Sequence, residues 1–181
     1  MTLVISVAAL SAVPGKFIRD DYFGFSASIP AALIACAPEP RQGNHFFVLP
    51  LANETCRDIK LDKIFSQTGD AVMVNLSYNS DGAIHSLDDL KSSCPAGSDI
   101  VSDAGRNLVI PTVDTVTCSS KDGGQSSLTV MAIVPEGDDL LSNIILEVDM
   151  ISTPENYQRN LSFLRTVLRS MKFKSKSRSA Q

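Results

Sequence analysis

Six side chains in this sequence carry the groups most often used for nucleophilic or metal chemistry: Cys36, Cys56, Cys94, Cys118, His45 and His85. A thiolate beside an imidazole makes a covalent nucleophile, and three or four such groups held together make a metal site. The stretch CAPEPRQGNHFFVLPLANETC sets His45 between Cys36 and Cys56, but the spacing suits neither chemistry. A nucleophilic cysteine needs a base within reach and a third group to orient that base, whereas these two cysteines flank the strand carrying His45 on opposite sides. No two cysteines stand at the short separation of a zinc module. His85, in SDGAIHSLDDL, sits just before a helix start, so a site using both histidines would need a carboxylate as third ligand. The expectation is therefore no catalytic residue, no metal and no cofactor, with His45 a strand-edge histidine held by hydrogen bonds. A small hydrolase using His45 or His85 is the competing reading.

An even number of well-separated cysteines points to disulfides in an exported chain. Of the three connectivities that four cysteines allow, Cys36–Cys56 with Cys94–Cys118 is favoured, because each joins chain neighbours across one element. The alternative is a cytosolic, chaperone-like module with four buried free thiols. Export is suggested by the start, MTLVISVAALSAVPGK, which is apolar from Leu3 to Val13 and too short for a membrane span. It resembles the apolar region of a signal peptide, with Ala9 and Ser11 as small residues before a cleavage at Ala12. The usual positive leading region is missing, so either the start lies upstream or these residues are an edge strand or arm. Residues 1–11 are thus expected to be a signal-peptide remnant, and the compartment periplasmic or extracellular.

The 181 residues, 44% hydrophobic and 20% charged, suit one compact domain, expected over residues 20–173. A net charge of −4 gives no basic field for a phosphate backbone, and aromatics at 6% with no tryptophan offer little for stacking bases. Nucleic acid is not an expected partner, and neither is stable membrane insertion. The tail 174–181, KSKSRSAQ, reads as a disordered basic terminus, or else as a weak contact for an anionic surface.

The elements that must position these residues are mostly strands. Period-two alternation marks YFGFSASIP, HFFVLPL, AVMVNLSYN, NLVIPT, VDTVTCSS, SLTVMAIVP and NIILEVDMIS. KDGGQ is a hairpin turn. Ser86 should cap a short helix whose first turn holds Asp88 and Asp89. A longer helix should start with Thr153 as its cap and Pro154 as its first residue. Tyr157, Leu161, Leu164, Leu168 and Met171 fall on one face of it, and Arg159, Arg165 and Arg169 on the other. The fold class is α+β: an antiparallel sheet packed by this C-terminal helix and one or two short ones. NET, NLS and NLS, at Asn53, Asn75 and Asn160, match the glycosylation sequon by chance, since two lie in a strand and a helix.

The ends of this domain resemble the PsbP-like fold. Phe23, Gly24, Phe25, Ser26 and Pro30 stand where members of that family open with a strand, and Leu168, Ser170, Met171 and Phe173 where they close after a helix. The resemblance implies an α/β/α sandwich and non-enzymatic roles: photosystem accessory subunits, exported lipoproteins, secretion chaperones. This chain lacks the lipoprotein's cysteine after the apolar leader. The functional expectation is an exported binding protein of a bacterial envelope, of accessory, adaptor or toxin-neutralising immunity type. It would meet another protein through loops 36–44 and 94–105, each anchored at a cysteine, with Arg41, Asn44 and Asp99 as contacts.

Overall fold

A computed structural model of the chain describes residues 10–12, 17–38, 45–51, 55–56, 70–101, 108–135 and 143–174. Most of the alternating segments form strands, joined among the described residues by five short strands that no alternation marked. In order they are β1 (Leu10–Ala12), β2 (Phe17–Asp20), β3 (Phe25–Ser28), β4 (Cys36–Pro38), β5 (His45–Pro50) and β6 (Ala71–Tyr78). Then follow helix α1 (Leu87–Ser92), β7 (Asp99–Val101), β8 (Thr115–Asp122), β9 (Gln125–Val134), β10 (Ile144–Ser152), helix α2 (Tyr157–Ser170) and β11 (Lys172–Phe173). Eight strands make one antiparallel sheet in the order β1-β4-β5-β6-β10-β9-β8-β7, and β11-β3-β2 make a second. The domain is thus mostly antiparallel sheet with two helices among the described residues, an α+β architecture.

Alternation along each strand separates the two faces of the large sheet. On one face Phe47, Leu49, Val72, Val74, Leu76, Leu128, Val130, Leu146, Val148 and Met150 are buried in a single core with Leu161, Leu164, Val167 and Leu168 of α2. Ile18, Phe25 and Ala27 of the small sheet complete that core. On the other face Val116, Cys118 and Met131 pack with Leu90 of α1. The two helices therefore cover opposite faces.

Local signals explain the best-defined elements. Gly123 and Gly124, at φ +53° and +83°, form the two-residue turn between β8 and β9, where two positive φ values match the twist of the flanking strands. The Ser86 hydroxyl accepts a bond from the Asp89 N–H and caps α1 as expected. Three expectations are corrected. YFGFSASIP is a turn followed by a strand of four residues, because Gly24 adopts φ +61° and reverses the chain, so that β3 pairs with β2. In NLVIPT the described residues form a turn closed by an Ile110–Val113 bridge, with Pro111 unable to donate to a ladder and Thr112 held at φ +68°. Residues 154–156 are a turn, and α2 begins at Tyr157. Its cap, Asn156, makes no capping bond of its own. Asp70, the residue before β6, instead holds the turn that leads into the helix: its carboxylate accepts the Thr153 N–H at 2.7 Å and the Asn156 side-chain amide at 2.6 Å.

Leu10 and Ser11, which the export reading assigns to a leader, pair with Pro38 and Ala37 at the sheet's edge. Asn160, in the third sequon, is wholly buried and donates to the Ser152 hydroxyl at 2.9 Å. No sugar could reach it in the folded chain.

Candidate functional site

The cysteines come together in pairs. Cys36 is bonded to Cys56 at an S–S distance of 2.04 Å and Cys94 to Cys118 at 1.95 Å, joining the chain neighbours that the sequence reading favoured. No free cysteine remains, so the chaperone-like reading loses its thiols and His45 has no thiol to activate. Both bridges attach to one continuous row of strand neighbours: Cys36, Val48, Met73, Asp149, Thr129, Cys118 and Ile100. A bridge thus pins each flank of the large sheet on the same face, as suits an oxidising compartment.

His45, at the start of β5, meets a partner that the sequence did not offer. Its Nδ1 lies 2.6 Å from Oδ2 of Asp20, the last residue of β2. The other oxygen, Oδ1, accepts the N–H groups of Tyr22 and Phe23 at 3.0 and 3.2 Å, which aims the carboxylate. The side chains are 13% and 1% exposed, and the imidazole stacks among Tyr22 and Phe23 at centroid distances of 5.1 and 5.0 Å. An aspartate that orients a histidine through Nδ1 is the outer half of a hydrolytic triad. It is equally a tie between the small sheet and the large one.

Among the described residues Asp149 is the most perturbed carboxyl group. It lies near the middle of the cysteine-to-cysteine row, and its pKa is raised to about 7, first by burial and then by the charge of Glu147 two residues away on the same face. The Thr129 hydroxyl, donating at 2.6 Å, opposes that rise. His85 is exposed, and its backbone N–H donates to Asp89 at 2.8 Å, which together with the Ser86 hydroxyl holds the Asp89 carboxyl below its ordinary value.

The contact residues proposed from sequence fare unevenly. Arg41 and Asn44 lie outside the described residues. Asp99 opens β7, the outermost strand of the large sheet, and is exposed, as is Ile100 beside it at 56%. The 94–98 segment leading into β7 is clamped at its start by the Cys94–Cys118 bond. Among the described residues no three histidine, cysteine or acidic side chains are gathered as a metal would need, and no helix is long and apolar enough to cross a membrane. No family model, characterised protein or solved structure matches this chain.

Sequence reasoning missed Asp20, Asp70 and Asp149. Glu147 and Asp149 alternate with Leu146, Val148 and Met150, a pattern that reads as a solvated face and says nothing of what covers it. Asp20 carried a local sign only, its place before a tight turn.

Proposed function

We propose that this protein is an exported, non-catalytic binding protein of a bacterial envelope, an accessory, adaptor or immunity-type module that engages another protein. The observation that carries this reading is the edge strand β7, bearing exposed Asp99 and Ile100 and tethered through Cys94–Cys118. An outermost strand presents unpaired backbone donors and acceptors to a partner's strand, and a disulfide lowers the entropy lost when a loop is ordered on binding. The stretch 36–44, expected from sequence as a loop, opens with strand β4, and Arg41 and Asn44, which lie outside the described residues, are the second contact in this reading. A net charge of −4 argues against nucleic acid as the partner.

The PsbP-like sandwich belongs to the same proposal. The two end patterns behind it are neighbours: Phe173 pairs with Phe25 and Lys172 with Ser26, and the Ser28 N–H donates to the Ser170 hydroxyl at 2.8 Å. In this reading periplasmic or secreted location follows from the paired cysteines. Mass spectrometry of the native protein tests it, with cleavage near Ala12 and the loss of four thiol protons expected; an intact start with four alkylatable thiols would overturn it. For the partner, affinity capture from the envelope fraction should recover one protein with wild type and His45→Ala, and lose it with Ile100→Asp.

The Asp20–His45 pair supports a second reading, a small hydrolase. It predicts turnover of some ester, amide or glycoside that disappears in His45→Ala and falls in Asp20→Asn.

A further inference from the structure

The outward face of the three-stranded sheet has a charge pattern at odds with the acidic chain as a whole. Successive rows across β2, β3 and β11 are Phe17–Ser28, then Arg19–Ser26–Lys172, and beyond them Asp21, Gly24 and Lys174, the last two joined by a bond from the Lys174 N–H to the Gly24 carbonyl at 2.8 Å. Ile18, Phe25 and Ala27 point inward and are buried, so the intervening residues face out. The result is a trough of about 300 Å³ with Gly24 and Ser26 as its floor, Phe17, Arg19 and Asp21 on one wall and Lys174 on the other. A larger side chain at Gly24 would meet the Lys174 backbone at 3.3 Å. Among the described residues Asp21 is the one carboxylate lining the trough, and it is bonded to Arg19 at 2.6 Å.

We propose that this face docks the protein peripherally on an anionic lipid surface. Lys172, Lys174 and Arg19 supply donors for headgroup phosphates across the floor of small residues, while Phe17, 60% exposed, enters the boundary between headgroups and acyl chains. In the sequence Lys174 is followed by Lys176 and Arg178. Lys16 precedes Phe17 in the sequence. Three cations against the single carboxylate Asp21 leave this face net positive beside an exposed aromatic, which suits an anionic bilayer with its charged headgroups above an apolar boundary. The inference does not rest on the β7 reading, since the two surfaces lie on different sheets.

The test is co-sedimentation of the full chain with vesicles of phosphatidylcholine alone and of phosphatidylcholine mixed with phosphatidylglycerol, at low and raised salt. Binding to the anionic vesicles only, weakening with salt, is expected. Lys172→Gln with Lys174→Gln should weaken it by roughly 25-fold, about fivefold per cation. Phe17→Ser should weaken the salt-resistant part. Phe17, Lys172 and Lys174 are exposed, and unchanged thermal unfolding of the variants establishes that they fold. Equal binding to both vesicle types, or wild-type binding by the lysine and Phe17 variants, would overturn the proposal. So would binding lost only in Lys176→Gln with Arg178→Gln, which would assign it to the tail alone. Binding of polyglutamate without binding of anionic vesicles would assign the face to an acidic protein and overturn it likewise.

Discussion

At the scale of single residues, three aspartates show how surroundings decide what a carboxylate does. Asp70 accepts bonds from the turn before α2, Asp20 orients His45, and Asp149 is pressed into a face where its neutral form is favoured. The last has a consequence for stability. Unfolded, Asp149 releases its proton near 3.8, while in the native chain it holds the proton to about 7. Between those values the native state binds more protons than the unfolded one, so stability from this group is complete below about pH 4 and falls as pH rises toward 7. A shift of this size corresponds to roughly 2–4 kcal/mol. Urea unfolding should therefore find Asp149→Asn more stable than wild type at pH 8 and close to it at pH 4. The amide keeps an acceptor for Thr129 and has no charge to desolvate. A wild-type slope unchanged by the substitution would mean that Asp149 is solvated in the native state.

At the scale of elements, α2 is the part whose packing holds the two sheets together. Leu161, Leu164, Val167 and Leu168 are buried on it, so Leu164→Ala should cost about 2–5 kcal/mol in equilibrium unfolding. The control belongs at Arg169, which is exposed, with an expected change under about 0.5 kcal/mol. Arg165, on the polar side in the sequence reading, is half-buried and engaged by a neighbour, so it is a poor control. Because Asn156 supplies no cap bond, the helix start depends on a residue far away in sequence. Asp70→Ala leaves the Thr153 N–H without its acceptor and the Asn156 amide with only the Thr153 hydroxyl at 3.2 Å, and should cost roughly 1–3 kcal/mol. If Asp70→Ala were neutral while Asn156→Ala was costly, the cap would be local after all.

At the scale of the whole molecule, what the sequence made legible and what it did not divide by range. The alternation Val72, Val74, Leu76 in β6, the Gly123–Gly124 turn and the Ser86 cap are each decided within a few residues, and period and turn chemistry report them directly. The polar ties Asp20–His45, Asp70–Thr153 and Ser28–Ser170 span 25, 83 and 142 residues, and no local pattern records which distant partner a carboxylate or hydroxyl will find. The disulfides lie between these extremes, since parity and the joining of chain neighbours across one element favoured the two pairs that the structure bonds, although no local pattern dictates them. They also carry the prediction that concerns the molecule entire. Each closes a short loop, with separations of 20 and 24 residues, and by loop entropy each should stabilise the fold by about 3 kcal/mol. Cys36 and Cys118 stand near opposite flanks of one strand row, with no shared neighbour, so their effects should add. Removing one bridge by paired Cys→Ala substitution should lower the melting temperature by roughly 6–12 °C for a chain of this size, and removing both by about twice that. Calorimetry on the two single-bridge variants and the double variant measures this. Additive losses with a single transition mean the sheet unfolds as one unit. Two separate transitions in either single variant would mean that its flanks are independent, and that the eight strands do not form one cooperative structure.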